Sequence, residues 1–280
     1  MDINYYSPKK KLTARSITTM AGVLQSDIYE IVLEAERLET MRRFKENIRL
    51  LSGQNVCLYT DRPSSSVRLA FEIAVRSLGG NAIVIPATDG DFTRELSIAA
   101  KMDVAAIFID KEGFFGYTAN LPQGAPIFNV SGLDNPVTAL SAILVLKRRF
   151  QTLKNLKTAV KDRSNLVLAL SKCEVDLYYL AETINGIAYN DEKYLSQFCP
   201  VTIVEYSGKP LSSVVKNPSA VLLSDLVPEC DAENISQEVK DFALYSPLSP
   251  GGEPYEISED ISVAVYEIIR AIVSLVCGNQ

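Results

Sequence analysis

Short apolar runs alternate with longer amphipathic segments along most of the chain. In the first half, the short runs have the length and composition of buried strands, and they lie at 56–59, 81–86, 104–109 and 125–130. Between them, apolar residues recur at helical spacing, which predicts helices at about 27–51, 67–78, 91–101 and 136–150. Ser26 is the expected N-cap of the first helix. Strands that alternate with helices in this way predict a parallel sheet with helices on both faces.

A second alternating series follows a short link at 152–157. Its strand candidates lie at 158–160, 175–179, 201–204 and 220–223, and a last amphipathic helix spans 259–277. With 280 residues, the chain is long enough for two ordinary domains. We therefore predict an α/β fold of two doubly wound parallel-sheet domains. The first takes residues 1–150 and the C-terminal helix 259–280, which packs back on it, and the second takes 151–258.

Composition excludes several classes of function. The net charge of −6 argues against nucleic-acid binding, which usually needs a basic face. No apolar run has membrane-spanning length, and residues 1–12 lack the apolar stretch of a signal peptide. We therefore expect a cytoplasmic protein with neither a nucleic-acid nor a membrane partner.

The chain has no histidine and five scattered cysteines. A catalytic triad with a histidine base, a histidine proton shuttle and an imidazole metal ligand are therefore all excluded. The cysteines form no CxxC pair, which favours reduced, buried thiols over a zinc site or a disulfide framework; they are Cys57, Cys173, Cys199, Cys230 and Cys277. We expect neither a metal nor an organic cofactor, and acid–base chemistry would fall to Asp, Glu, Lys, Tyr or Cys.

The segment 56–80 has the architecture of a phosphate-binding loop. A strand leads into a turn with Ser64, Ser65 and Ser66, and a helix follows. Unpaired backbone N–H groups and the helix dipole favour an anion at such a helix N-terminus. Arg68 lies in the first helical turn, as an anion contact or as the ion-pair partner of an acid. A capped core helix without a ligand explains the same segment.

This segment resembles the carbamoyl-phosphate loop of the aspartate and ornithine carbamoyltransferases, Ser-Thr-Arg-Thr-Arg-x-Ser-Phe-Glu. Ser64, Arg68 and Glu72 match that motif, Ser65 is a conservative stand-in for threonine, and Ser66 takes the place of the first arginine. The resemblance spans nearly the whole chain and is closer to the aspartate type. It implies a cleft between a carbamoyl-phosphate-binding-like domain and an amino-acid-binding-like domain.

Other family positions have also changed. In the family, an arginine stands at the end of the third predicted strand. In this chain the strand is followed by Asp110. Asp110 is either an acid that repels phosphate or a solvated aspartate at a strand end. The family motif with Ile-Asn-Ala and His-Pro-x-Gln-Ala-Leu is matched at Asn129 and Pro136. Asn135 occupies the histidine position of this motif, and Thr138 occupies the glutamine position. In the family, the side chains at these two positions polarise and hold the carbamoyl group. A simple helix start explains Asn135 equally well.

Two loops complete the comparison with the family motifs. In 245–253, Pro247 and Leu248 match the His-Pro-Leu-Pro-Arg motif of the aspartate type, although a plain proline–glycine loop explains the segment too. The second loop follows Pro86. In the family, a neighbouring subunit inserts a serine and a lysine from this region into the site. The candidates for that role here are Thr88, Thr93 and Arg94.

Three functions remain open from the sequence. The first is a non-catalytic carbamoyltransferase homologue, acting as a structural or regulatory partner or as a binder of a small metabolite. The second is an enzyme with an altered, less charged substrate. The third is a carbamoyltransferase with a rebuilt anion site that uses Arg62, Lys111 or Arg94, and that acts on an amino acid or a related amine.

The resemblance also implies partners and ligand-binding residues. We expect a homotrimer or an assembly with an active carbamoyltransferase homologue, and a small anionic or amino-acid ligand. No residue is assigned a catalytic role. The candidate ligand-binding residues are Ser64, Ser65, Ser66, Arg68, Asn135, Thr138, Pro247 and Leu248.

Overall fold

The structure is a computed structural model of the chain. It describes residues 8, 11–46, 48–62, 65–87, 92–112, 114, 124–132, 134–160, 164–181, 183–184, 187–188, 202–205, 220–222, 243–245 and 258–278. The chain divides into two compact units. Unit 1 is Met1–Ser141 with Ser262–Gln280, and unit 2 is Ala142–Ile261.

Unit 1 contains a four-stranded parallel sheet. Its strands are β1 (Asn55–Thr60), β2 (Asn81–Pro86), β3 (Val104–Asp110) and β4 (Ile127–Asn129), in the spatial order β2-β1-β3-β4. Helices α2 (Ser66–Ser77) and α3 (Phe92–Ala99) connect β1 to β2 and β2 to β3. Because the first connection leads outward and the second crosses back over β1, right-handed crossovers place these helices on opposite faces.

Each face of this sheet has its own apolar core, because successive strand residues point to opposite sides. On the α2 face, Phe108 of β3 lies between Phe71 and Phe128, with ring centroids 5.4 and 5.1 Å away. On the α3 face, Leu96 belongs to a buried cluster with strand residues such as Ile107. The strands β1, β3 and β4 are therefore buried on both sides, as strands of parallel sheets generally are, whereas the edge strand β2 is partly exposed.

The segment before the first helix extends the sheet beyond β4. Ile17 pairs in parallel with Phe128, donates its N–H to the Ile127 carbonyl at 2.9 Å, and accepts from the Asn129 N–H at 3.0 Å. The Ser16 hydroxyl accepts from the N–H of Ile127 at 3.0 Å. The open edge of β4 is thus covered by an N-terminal strap, defined here as residues 11–24.

Helices α1 (Gln25–Arg43) and α6 (Ser258–Cys277) bury charged groups within unit 1. The Ser274 hydroxyl of α6 donates to the fully buried carboxylate of Glu34 in α1 at 2.6 Å. Arg270 is 4% exposed and donates to the Leu38 carbonyl at 3.2 Å. Buried charges need such partners, and these bonds fix the register between the two helices.

Helix α1 ends eight residues before the predicted end at Leu51, and its N-cap is Leu24 rather than the predicted Ser26. Lys45 adopts a left-handed conformation with φ 56°. The Lys45 N–H donates to the Arg42 carbonyl, and the Glu46 N–H donates to the Met41 carbonyl. This is a Schellman motif, which stops a helix. This helix end was not predicted from the sequence, because lysine rather than glycine occupies the left-handed position.

The described residues of unit 2 form a five-stranded parallel sheet and a small antiparallel hairpin. The sheet has the order β11-β10-β5-β6-β9. Its elements are helix α5 (Ser164–Ser171) and strands β5 (Lys157–Val160), β6 (Asp176–Ala181), β9 (Thr202–Glu205), β10 (Ala220–Leu222) and β11 (Ala243–Tyr245), and the hairpin is β7 (Thr183–Ile184) with β8 (Ile187–Ala188). Helix α4 (Pro136–Phe150) begins in unit 1 and continues into unit 2. The predicted parallel α/β class is confirmed, whereas the hairpin and β11 were not predicted.

The cysteines of the described segments are unbridged and buried. Burial raises the pKa of Cys57 to about 11, and that of Cys173 and of Cys277 to about 12. These thiols therefore carry little of the reactive thiolate form near neutral pH. In the described segments, no helix is both long enough and apolar enough to cross a membrane.

The buried bond between α1 and α6 has a measurable consequence. Ser274→Ala removes a donor to the buried Glu34 carboxylate, and we expect it to lower the free energy of unfolding by about 1–3 kcal/mol in urea titrations followed by circular dichroism. Ser77→Ala is the matched control, because the exposed Ser77 hydroxyl bonds the Ala74 carbonyl of its own helix. Equal losses in both variants would contradict a special role for the Glu34 contact.

Candidate functional site

The candidate site lies at the carboxyl ends of the strands of unit 1. The connection from β1 to β2 leads toward one edge of the sheet, and the connection from β2 to β3 leads back toward the other edge. The switch point of the topology therefore lies between β1 and β3. Ligands of open parallel sheets bind in the crevice at such a point. Thr60 ends β1 and Asp110 ends β3, and the parallel register places them side by side.

Asp110 is at the centre of a buried polar cluster. Its carboxylate is 2% exposed, and one of its oxygens accepts from the Thr60 and the Ser65 hydroxyls, each at 3.1 Å. The prediction of a solvated aspartate at the strand end is therefore wrong. Asp110 points to the same sheet face as Phe108, toward helix α2, where the packed helix excludes water.

Burial raises the pKa of the Asp110 carboxyl, because desolvation disfavours its charged form. The hydrogen bonds from Thr60 and Ser65 and the charge of Arg62 act in the opposite direction, whereas the neighbouring charge of Asp61 adds to the increase. Desolvation is the largest effect. The cluster thus places an acid, whose charged form burial disfavours, where a phosphate-binding site would present positive charge.

Ser65 joins this cluster to the N-terminus of α2. Its hydroxyl accepts from the Arg68 N–H at 3.1 Å, so Ser65 is the side-chain N-cap of the helix, and it donates to Asp110. A serine N-cap satisfies one of the backbone N–H groups that a bound anion would otherwise take. A single hydroxyl therefore couples the first turn of α2 to the carboxylate at the end of β3.

The two arginines near this turn are both close to acids. Arg68 donates from Nε to the Glu72 carboxylate at 2.9 Å, and Glu72 also contacts Arg76 at 3.2 Å. The Arg62 guanidinium is half exposed and lies 3.9 Å from the Asp61 carboxylate. Of the two roles considered for Arg68, the structure therefore places it in the ion pair with an acid.

A second polar group lies at the N-terminus of α4. Asn135 is 2% exposed, and its Nδ2 donates to the Gly132 carbonyl at 2.7 Å and to the Thr138 hydroxyl at 2.9 Å. Its Oδ1 accepts from the Thr138 N–H at 2.9 Å, which caps the helix. Gly132 has φ 68°, a left-handed conformation that glycine adopts without strain. Both amide hydrogens of Asn135 are thus engaged within its own turn.

Asn129, a matched position of the family motif, holds the strap in place. Its Nδ2 donates to the Thr18 carbonyl at 3.3 Å, and its Oδ1 accepts from the Ser131 N–H at 2.8 Å. The Ser131 hydroxyl in turn donates to the Lys111 carbonyl. This side chain fixes the ends of β3 and β4 relative to the strap, which is a structural task.

The structure brings the predicted residues into two groups. Ser65 and the backbone of Arg68 lie with Asp110, whereas Asn135 and Thr138 lie together at the start of α4. Ser66 is the exposed first residue of α2. The remaining candidates, Ser64, Pro247 and Leu248, lie outside the described residues, as does Thr88, and of Thr93 only the backbone is described. Arg94 is exposed on α3.

Sequence reasoning missed Thr60. The signal was available in principle, because Thr60 and Asp110 are the first polar residues after two apolar strands that neighbour each other in the sheet. Carboxyl ends of adjacent parallel strands meet at one sheet edge. In the segments that the structure describes, no group of three or more Cys, Asp or Glu side chains is arranged to hold a metal ion.

No protein-family model matches the chain. An ornithine carbamoyltransferase of Symbiobacterium thermophilum is 32% identical over 154 residues, which cover 51% of this chain and 49% of that protein. An aspartate carbamoyltransferase catalytic subunit of Methanococcus vannielii is 26% identical over 155 residues, covering 52% and 51%. The chain thus spans about half the length of the curated relatives that it matches.

Solved structures extend the likeness to the whole fold. The ornithine carbamoyltransferase of Pyrococcus furiosus superposes with a TM-score of 0.78 over 96% of this chain and 99% of its own, at 18% identity. At this identity, the match establishes the fold alone. The predicted parallel α/β fold is therefore confirmed by its match to a carbamoyltransferase structure.

The cap at α4 can be tested by substitution. Asn135→Ala removes the acceptor for the Thr138 N–H, and we expect it to lower the free energy of unfolding by about 0.5–2 kcal/mol. Asn135→Ser restores a capping oxygen and should retain most of the stability. Chemical denaturation of both variants measures the difference, and an alanine variant as stable as the unsubstituted protein would contradict the capping role.

The raised pKa of Asp110 predicts a pH dependence of stability. Since the folded chain holds this proton more tightly than the unfolded chain, the contribution is most favourable at low pH. It is lost as the pH rises from the ordinary value of 3.8 through the raised pKa. Asp110→Asn abolishes this titration, so the stability of the variant relative to the unsubstituted protein should increase with pH across that window. Urea titrations at several pH values measure this difference, and a flat or falling difference would refute it.

Proposed function

The chain is a relative of the ornithine and aspartate carbamoyltransferases, and from this premise we propose that it has lost ordinary transfer from carbamoyl phosphate. It acts instead as a non-catalytic structural or regulatory partner, or as a binder of a small metabolite. The scaffold is retained, and among the described family ligand positions the side chains of Ser65, Arg68 and Asn135 make contacts within the fold.

The state of Asn135 carries this proposal. A side chain that polarises a carbamoyl oxygen must offer it a hydrogen, and an asparagine has two amide hydrogens. Both are used by Gly132 and Thr138, and the amide oxygen caps α4. Turning this side chain toward a ligand would break three hydrogen bonds at a buried helix start, at a cost of about 1 kcal/mol or more for each.

The charge at the end of β3 supports the same conclusion. Phosphoryl groups are bound by positive charge and by hydrogen-bond donors. Asp110 instead presents a buried carboxylate, and the Ser65 hydroxyl donates to it. The Arg68 side chain, which matches a family arginine, pairs with Glu72. Each of these contacts weakens the attraction for carbamoyl phosphate.

The proposal extends to domains and partners. Residues 1–150 with 259–280 would form the carbamoyl-phosphate-binding-like domain, and 151–258 the amino-acid-binding-like domain. The assembly would be a homotrimer or a complex with an active carbamoyltransferase homologue in the cytoplasm, and the ligand a small anion or an amino acid. The family resemblance alone supports these assignments.

A carbamoyltransferase with a rebuilt anion site is the second candidate. One observation favours it: the half-exposed Arg62 guanidinium lies beside the turn that leads into α2, close enough to Asp110 to lower the pKa of its carboxyl. An arginine in this position is the best available start for a rebuilt anion site, with an amino acid or a related amine as acceptor. This enzyme would lose activity in Arg62→Ala, whereas a non-catalytic protein has none to lose.

Product formation separates these functions. The purified protein, incubated with carbamoyl phosphate and either ornithine or aspartate, should form neither citrulline nor carbamoyl-aspartate above the rate of a reaction without protein. Colorimetric detection of the ureido product is the measurement, and an active carbamoyltransferase in parallel reactions is the control. Product that disappears in Arg62→Ala would establish the second candidate and overturn the first.

Thermal-shift measurements test metabolite binding separately. A ligand that binds only the folded protein, at 100 times its Kd, stabilises it by about 2.7 kcal/mol. A panel of amino acids and small anions should therefore reveal the ligand class if the chain is a binder. An unshifted melting temperature across the panel, together with co-purification of an active homologue, would favour the partner role over the binder role.

A further inference from the structure

We infer that Asp110 is an internal anion that takes the position of a ligand's negative charge at the N-terminus of α2, and that it is the residue that excludes phosphate from this site. The inference rests on the proposed loss of carbamoyl-phosphate transfer and assigns the exclusion of the phosphate group to one side chain.

The first step of the argument is the path of hydrogen bonds from the helix to the carboxylate. The Arg68 N–H of the first turn donates to the Ser65 hydroxyl, and this hydroxyl donates to Asp110. Polarisation passes through the shared hydroxyl, so the positive end of the helix dipole is directed toward the carboxylate. A phosphate placed at the same turn would have to compete with Asp110 for Ser65.

The second step is that the carboxylate cannot easily move aside. It is almost fully buried, it belongs to the last residue of a central strand, and Thr60 on the neighbouring strand holds it as well. The backbone around it is also engaged, since the Asp110 carbonyl accepts from the Asp61 N–H at 3.2 Å. The negative charge is thus part of the sheet edge and not a mobile side chain.

The third step is the balance of charge around the cluster. Arg62 and Asp61 face the carboxylate from the turn after β1 and act on it with opposite sign. The Arg68 guanidinium is bonded to Glu72. Because Asp61 opposes Arg62 and Glu72 pairs with Arg68, the carboxylate adds a negative charge at the turn, and this charge repels a phosphate dianion.

The test measures inorganic phosphate binding by titration calorimetry at about pH 8, where phosphate is mainly a dianion. Asp110→Asn removes the charge and nearly preserves the shape. We expect this variant to bind phosphate at least about tenfold more tightly than the unsubstituted protein, since that change corresponds to about 1.4 kcal/mol. Asp110→Glu, which keeps the charge, should show no gain.

The matched control is Asp103→Asn. Asp103 precedes the other end of the same strand, is exposed, and has φ 27°, a region in which asparagine is tolerated. The Asp103→Asn variant loses the same unit of charge, but at a position far from the α2 turn. Its affinity for phosphate should therefore change by less than about twofold in a buffer of physiological ionic strength. Asp110→Ser serves as a second neutral variant, and near-ultraviolet circular dichroism verifies the folding of each protein.

Two results would overturn the inference. One is phosphate binding that is equally weak, or equally strong, in the unsubstituted protein and in both neutral variants of Asp110. The other is an equal gain in Asp103→Asn, which would reduce the effect to net charge. Ureido product from the unsubstituted protein would instead overturn the proposed function, and the ratio of phosphate affinities would still decide the role of Asp110.

Discussion

The register between β1 and β3 is the constraint on which the rest of unit 1 depends. It places Thr60 opposite Asp110 and turns both toward α2, while Phe108 reaches Phe71 on the same face. Because side chains alternate along a strand, a slip by one residue would send the aromatic core to the other face and the carboxylate with it. The polar cluster and the apolar core are therefore specified together.

The polar residues at the carboxyl ends of the strands show that the fold itself can engage side chains at family ligand positions. Helix starts need acceptors for their unpaired N–H groups, whether or not a ligand is bound. Ser65 and Asn135 meet this need at α2 and α4. Selection for a stable helix start is thus sufficient to retain a polar residue at a family ligand position, and a motif match there does not by itself indicate activity.

Much of the fold was predictable from apolar periodicity. The predicted bounds of β2 and α4 agree with the structure, those of β3 differ by one residue at one end, and those of β1 and α2 differ by one residue at each end. The environment of Asp110 was not predictable, because its hydroxyl partners are 50 and 45 residues away in the chain and only the sheet register brings them together. The family resemblance named the positions to inspect. It did not indicate which side chains are engaged by the fold.

The contact between α1 and α6 has a consequence for synthesis of the chain. Glu34 meets Ser274, which is made 240 residues later. At about 5–20 residues per second, the ribosome needs roughly ten to fifty seconds to cover that interval. Throughout this time the nascent chain carries an α1 whose buried face has no covering helix, while the whole of unit 2 is produced. Unit 1 therefore completes its core only after translation has passed through its neighbour, and chaperones have that interval in which to bind the uncovered helix.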